Sequence, residues 1–232
     1  MYNNPMPLDS YQIRSCLSCG LRYPLTDGHN FGIRCPACLG ETRLLHSRKL
    51  VTGPRQSLPE SFYREAREEE KNHRGLAVLL DNIRSAWNVG SIFRSADGFG
   101  FSHAYLCGIT PTPDGQARDA VTKTSLGAEY TVTWSYHKDA VKLAKGLKKE
   151  GWTVWALEEE DGATPITHAS SAGLATTRLS AQPIVLIVGN EVTGVDLDLL
   201  DLCDRVLYIP MFGEKKSFNV AVAFGIAAFA LR

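Results

Sequence analysis

The sequence predicts an α/β fold whose sheet is mainly parallel, preceded by a small unit organised around cysteines. Two observations carry this reading. Short runs rich in Val, Leu and Ile recur at 76–80, 103–107, 152–157, 183–188 and 205–209, and helical stretches such as 87–98, 137–150 and 217–231 separate several of them. That is the pattern of strands buried on both faces by crossover helices. Ahead of them, four of the six cysteines fall as Cys16-x2-Cys19 and Cys35-x2-Cys38. A chain of 232 residues has room for one substantial core and one accessory unit. The boundaries read as 1–48 for the cysteine unit, 49–74 for a linker and connecting helix, and 75–232 for the α/β domain.

With fifteen residues between them, the cysteine pairs have the spacing of a four-thiolate zinc site. Each CxxC turn lets two sulfurs converge on one ion. The segment between, with Pro24, Asp27-Gly28 and Gly32, is expected to fold as a hairpin that brings the pairs together. Four protein sulfurs close the coordination sphere, so the ion is structural, replacing a core too small to exist alone. Two disulfides or four unrelated thiols are the alternatives. His29 and His46 are read as exposed surface, and Cys107 and Cys203, in apolar stretches, as small buried hydrophobes.

Residues 40–60 mix Arg and Lys with Gly53-Pro54 and Pro59, as a linker does. Ser61 is a candidate N-cap for the charged helix that follows. Overall composition, 44% apolar and 22% charged, is that of a globular protein. No apolar run approaches the roughly 20 residues of a spanning helix, and MYNNPMPLDS has no basic segment followed by an apolar one, so a cytoplasmic protein is expected. The net charge of zero hides an asymmetry: residues 1–60 carry seven Lys/Arg and four Asp/Glu (7 − 4 = +3), and residues 61–232 carry eighteen and twenty-one (18 − 21 = −3). Local positive charge at the front suits a nucleic-acid partner and equally suits ordinary solvated surface.

In parallel sheets ligands collect at the carboxyl ends of the strands, so the residues after each run are the candidates for chemistry. After the first come Asp81-Asn82 and then Asn88, Gly90 and Arg94. Arg94 suits a phosphate, its guanidinium matching paired oxygens, and equally suits an i,i+3 salt bridge to Asp97. After 183–188 comes Gly189-Asn190-Glu191-Val192-Thr193-Gly194, where glycines permit close approach to a ligand and Glu191 supplies an acceptor; a tight turn is the simpler alternative. After 205–209 comes Pro210 to Val220, in which Ser217 can cap the following helix and Asn219 offers donor and acceptor within its first turn. That helix, apolar on nearly all sides, calls for burial against a second subunit or within a core. Glu158-Glu159-Glu160-Asp161 reads as a solvated loop. The GxGxxG, GxxxxGK[ST] and GxSxG patterns are absent, which disfavours an ordinary dehydrogenase, NTPase or hydrolase.

Taken together, N-x-G-x-x-x-R-x-A-D at Asn88 to Asp97, GNE-x-x-G at Gly189 to Gly194, and IPM-x-G-x-x-x-S-x-N-V at Ile209 to Val220 resemble the signature motifs of the SPOUT superfamily, specifically its TrmH family of RNA 2′-O-ribose methyltransferases. The resemblance covers about residues 75–232; Phe218 stands where a leucine is usual, and the cysteine unit is an addition to the family pattern, an RNA- or partner-binding module. It implies a SPOUT-type knotted parallel sheet, with a C-terminal trefoil knot forming the pocket for S-adenosyl-L-methionine (SAM). A homodimer is implied too, with the active site at the subunit interface. Gly189, Ile209 and Phe218 would hold SAM largely through backbone, and Asn88, Arg94, Glu191, Ser217 and Asn219 would form the catalytic group. The implied reaction is methyl transfer to a ribose 2′-OH in tRNA or rRNA. A catalytically silent RNA-binding or assembly protein of the same fold is the alternative, a ribbon serving as adaptor for another protein a third reading, and base methylation a further option.

Overall fold

The computed structural model describes residues 10–26, 32–49, 75–166 and 182–231. The chain forms two compact units, Met1–Arg67 and Glu68–Arg232. The expected linker beyond Lys49 and the helix capped by Ser61 lie outside the described residues, as does His29.

In the first unit three strands, β1 (Ser10–Cys16), β2 (Arg22–Thr26) and β3 (Thr42–Lys49), form an antiparallel sheet in the order β2-β1-β3. The turn of the hairpin expected between the cysteine pairs, at Asp27-Gly28, lies outside the described residues; a hairpin that is described joins β1 to β2. Its turn is the first CxxC knuckle, closed by Cys16 N–H on the Leu21 carbonyl at 2.8 Å, so the segment between the pairs contributes β2. The second knuckle is closed in the same manner by Cys35 N–H on the Gly40 carbonyl, 3.0 Å. The four sulfurs lie within 4.8 Å of one another, with Cys16 Sγ 3.4 Å from Cys38 Sγ and Cys19 Sγ 3.6 Å from Cys35 Sγ, and none is in a disulfide. Zinc–sulfur bonds of about 2.3 Å in a tetrahedron put sulfurs about 3.8 Å apart, so the cluster fits a zinc ion. One sheet face bonds to the backbone of residues 33–34 through Tyr23 and Thr42. Tyr23 Oη donates to the Arg34 carbonyl (2.9 Å), and Arg14 on the same face donates to Thr42 Oγ1 (2.8 Å), Gln12 Oε1 (2.7 Å) and the Thr42 carbonyl (3.1 Å).

The second unit is a parallel sheet between two helical layers. Its elements are β4 (Leu76–Asp81), α1 (Ala86–Gly98), β5 (His103–Cys107), α2 (Arg118–Ser125), β6 (Thr133–His137), α3 (Ala140–Lys149), β7 (Thr153–Leu157), β8 (Thr164–Pro165), β9 (Ile184–Val188), α4 (Leu197–Leu200), β10 (Arg205–Tyr208) and α5 (Val220–Ala230). Among the described residues the strand order is β6-β5-β4-β9-β7-β10-β8, all parallel. Strand alternation splits the core. Val78, Leu80, Leu186 and Val188 pack with Val89, Ile92 and Phe93 of α1 and Phe224 of α5, whereas Leu79, Val185 and Ile187 pack with Ala144 and Leu147 of α3 and Leu199 of α4. Both central strands are therefore buried throughout, which explains their unbroken apolar runs. Cys107 joins the second layer, and burial, with Asp81 and Asp139 nearby, pushes its thiol up to about 12.

Three elements depart from the sequence expectation. The stretch expected to be helical from residue 137 starts at Ala140, capped by Asp139 accepting from Lys142 N–H at 2.8 Å, and its first residue instead ends β6. The α2 helix has no apolar stripe to announce it. It is held by close approach to α1, where Gly90 faces Thr124 and the Val121 carbonyl so tightly that a Cβ would overlap both. The cap of α5 is Asn219, whose Oδ1 accepts from Ala221 N–H (3.0 Å) and Val222 N–H (3.4 Å); the expected cap, Ser217, lies two residues upstream because the chain does not turn helical until Val220. Among the described residues no helix is long and apolar enough to cross a membrane.

Two outcomes follow from this packing. Gly90→Val should lower unfolding free energy by about 1–3 kcal/mol, the usual penalty of overpacking, read in urea denaturation of the full chain. Purified protein should carry one zinc per chain by elemental analysis, and Cys35→Ser should lose it while the far-ultraviolet signature of the α/β unit persists.

Candidate active site

The turn after β9 is a miniature hairpin. Asn190 and Gly194 exchange backbone hydrogen bonds of 3.0 and 2.9 Å, and Asn190 Oδ1 accepts from Val192 N–H (2.9 Å) and Thr193 N–H (3.2 Å). Gly189 lies against the main chain of Gly194 and Val195, where any side chain would overlap backbone, so this position admits glycine alone. Asn190 Nδ2 also donates to the Asn82 carbonyl at 2.7 Å, tying the turn after β9 to the turn after β4. Asp81 braces the same corner. Burial pushes its carboxyl up, the Asp196 charge adds to that, and hydrogen bonds from Asp196 N–H (3.1 Å) and Asn82 Nδ2 (2.7 Å) oppose it.

Held at this corner, Glu191 accepts from Arg84 N–H (2.9 Å), Ser85 N–H (3.1 Å) and Asn88 Nδ2 (2.9 Å). Asn88 Oδ1 in turn accepts from Asn219 Nδ2 at 3.0 Å. The chain Glu191–Asn88–Asn219 thus joins all three motif segments. Its polarity is set throughout. Glu191 can only accept, so Asn88 must turn its amide nitrogen toward it and its oxygen toward Asn219, while Asn219 keeps its own oxygen for the α5 cap. Partial burial raises the Glu191 carboxyl, but the Arg84 N–H, its own N–H, Asn88 and Ser85 N–H together outweigh that and hold it below the usual glutamate value.

A cavity of about 620 Å³ opens beside this chain, lined by the ends of β7, β9 and β10 and by the segment before α5. It lies at the carboxyl edge of the sheet, past the ends of the neighbouring strands β9, β7 and β10. Gly189, Glu191, Ile209, Ser217, Phe218 and Asn219 all line it. Asn88 reaches it through its two hydrogen bonds. Arg94 is not among the lining residues. It is exposed on α1 and, among the described residues, makes no ion pair, so the salt bridge to Asp97 is not formed; Asp97 accepts instead from Thr131 Oγ1 at 2.6 Å.

Sequence reasoning missed Glu158, assigned to a solvated loop. Its carboxylate accepts from Val195 N–H (2.9 Å) and Glu159 N–H (3.1 Å), pinning the far end of the glycine-bounded turn, and both Glu158 and Glu159 line the cavity. The signal available was positional: Glu158 is the residue directly after β7, at the edge where ligands collect.

A parallel α/β domain with its cavity at the carboxyl ends of the strands, bounded by a glycine turn and a carboxylate–amide chain, is of the class that places its ligand site at that edge. The chain belongs to the SpoU rRNA methylase family, whose model matches residues 75–229. Among its relatives, a Bacillus subtilis protein named 23S rRNA (guanosine(2553)-2'-O)-methyltransferase RlmP is 32% identical over 160 residues, covering 67% of this chain and 57% of the relative. The tRNA (guanosine(18)-2'-O)-methyltransferase of Thermus thermophilus is 29% identical over 154 residues, 66% of this chain and 72% of its own. The crystal structure of an AdoMet-bound rRNA methyltransferase from Sinorhizobium meliloti superposes with a TM-score of 0.59 at 26% identity, covering 68% of this chain and 56% of that one. The chain spans about half the length of the first curated relatives it matches, 57% and 44%.

The lowered Glu191 carboxyl stabilises the fold fully above the unfolded value of about 4.5, and that contribution is lost as pH falls through the folded value. The melting temperature of the protein should therefore fall as the pH drops below the ordinary glutamate value of 4.5, and Glu191→Gln should flatten this acid limb, as followed by near-ultraviolet circular dichroism.

Proposed function

We propose that the protein transfers the methyl group of SAM to a ribose 2′-OH in structured RNA, tRNA or rRNA, in the cytoplasm. The observation that carries this is the Glu191–Asn88–Asn219 chain beside the 620 Å³ cavity. The cavity is within the usual range for small-molecule sites, about 300–1,000 Å³. Its apolar wall (Leu157, Val188, Ile209, Met211) suits an adenine, and Glu158, Glu159 and Glu191 suit a cationic sulfonium and amino group. When bound, SAM supplies an electrophilic methyl group.

The residues of this chain do the rest. Gly189, Ile209 and Phe218 hold the cofactor by backbone and ring contact. Asn219 and Ser217 present polar groups to the incoming hydroxyl, and Asn88 fixes Asn219 in the orientation that Glu191 dictates. Positioning of this kind supplies a large share of barrier reduction. A guanidinium is too weak a base to take the 2′-OH proton, so Arg94 grips the adjacent phosphate and polarises the hydroxyl. Because Arg94 is exposed on α1, away from the cavity of its own chain, it serves a site completed by a second copy. The outer face of α5, with Val222 50% and Phe229 72% exposed, supplies apolar area for that homodimer. The C-terminal trefoil knot implied by the motifs belongs to the same reading.

Labelled methyl should pass from SAM to total RNA of a strain lacking the protein, and nucleoside mass spectrometry should find a 2′-O-methylated product. Arg94→Ala should lower turnover about 100-fold, the scale of losing one positioned charge donor, with SAM binding intact. Mixing Arg94→Ala with Asn219→Ala chains should restore part of the activity, since a mixed dimer rebuilds one whole site. Near-normal turnover by Arg94→Ala would sink the assigned role; no incorporation into any RNA would favour the silent RNA-binding reading.

A further inference from the structure

The first unit has two sheet faces of opposite character. On one, Arg14, Cys16, Tyr23 and Leu25 are buried, with Tyr23 bonded to the Arg34 carbonyl. The other is set by register. Ser15 pairs with Arg22 on one side and Arg43 on the other, and Ile13 pairs with Pro24 and His46. Directly paired residues share a face, so Arg22, Pro24, Arg43 and His46 stand with Tyr11, Ile13 and Ser15 on the opposite side. All four of the outer-strand residues are exposed, and Tyr11, Ile13 and Ser15 are half-buried.

The arginines fall into two populations. Arg14 spends its donors on Thr42 and Gln12 and holds the unit together. Arg22 and Arg43 form no ion pair or hydrogen bond among the described residues, and the one acidic residue described in this unit, Glu41, lies before β3 begins. Arg22 and Arg43 thus flank Ser15 from the outer strands, their Cα atoms about 10 Å apart, two interstrand spacings. An aromatic ring lies further along the central strand.

We propose that this face, carried by Arg22, Arg43, His46 and Tyr11, binds the sugar–phosphate backbone of RNA, with one phosphate at each arginine and a base or ribose against Tyr11. The inference rests on the reading that the substrate is RNA. Charge complementarity selects the partner: a pair of guanidinium forks with no ion pair among the described residues matches phosphate oxygens, and an aromatic ring on the same face as basic groups suits a base of a single-stranded segment. The unit then adds affinity for RNA without touching the reacting atoms.

The test uses the full, zinc-loaded protein and fluorescein-labelled unfractionated tRNA and rRNA fragments. Arg22→Ala/Arg43→Ala should weaken binding about tenfold near physiological salt, and the slope of log Kd against log salt should be shallower by about 1.5, as expected for two lost phosphate contacts. Tyr11→Leu should weaken binding with the slope unchanged. Zinc stoichiometry and SAM affinity should stay at the wild-type values in each variant, which separates a lost contact from a lost fold. Unchanged affinity and slope in the double variant, while the wild type still methylates RNA, would overturn this surface and leave the activity standing. Salt-sensitive binding lost in the double variant, with no methylation by the wild type, would support the surface while the activity fails. Unchanged RNA affinity together with loss of a co-purifying protein would overturn it in favour of a protein partner.

Discussion

The structure of the α/β unit turns on one carboxylate. Glu191 collects two backbone N–H groups from the start of α1 and one amide from Asn88, and through Asn88 it reaches Asn219 at the start of α5. The three segments are more than a hundred residues apart from end to end, and each brings a helix or strand terminus whose groups need partners. Because the bonds run in one direction, from amides toward the anion, the charge on Glu191 fixes the orientation of two side chains beyond it. Chains of this type polarise one another and lose more than one bond when one member is removed. The same interaction that docks α1 and α5 at the edge of the sheet therefore also aims Asn219 at the cavity.

What the sequence revealed and what it hid divide along physical lines. The central strands were legible because burial on both faces demands uninterrupted apolar runs, and β4 and β9 are buried along their whole length. The edge strand β6 was not, because half-exposed positions admit Thr133, Trp134, Ser135 and Tyr136, which carry no simple alternation. The α2 helix was invisible for a related reason: its attachment is a glycine contact on the neighbouring helix, a feature of α1 and not of its own composition.

The candidate site was similarly half legible. Glycines and amides in the loops after the strands announced themselves by position, and the cavity gathers Gly189, Glu191, Ile209, Ser217, Phe218 and Asn219. Arg94 could not be placed by sequence, since helical spacing from Asn88 does not say whether its side chain lines the cavity, and it does not. Glu158 was hidden in a run of acids, where three neighbours made the fourth look like solvent-facing charge. The cysteine unit was the most legible of all at its metal, because CxxC spacing fixes sulfur geometry.

The small hairpin after β9 is rigid at its base and free at its tip. Gly189 is pressed against main chain, yet Val192 at the apex is 73% exposed and is fixed only through its own N–H. Mutational drift is consequently channelled. Replacements at the base are eliminated by steric overlap, whereas the apex side chain can change freely without moving the strand end or the carboxylate beside it. Lineages built on this scaffold can thus diversify the rim of the pocket while its foundation stays invariant, so that evolvability here is a property of where the backbone leaves no space.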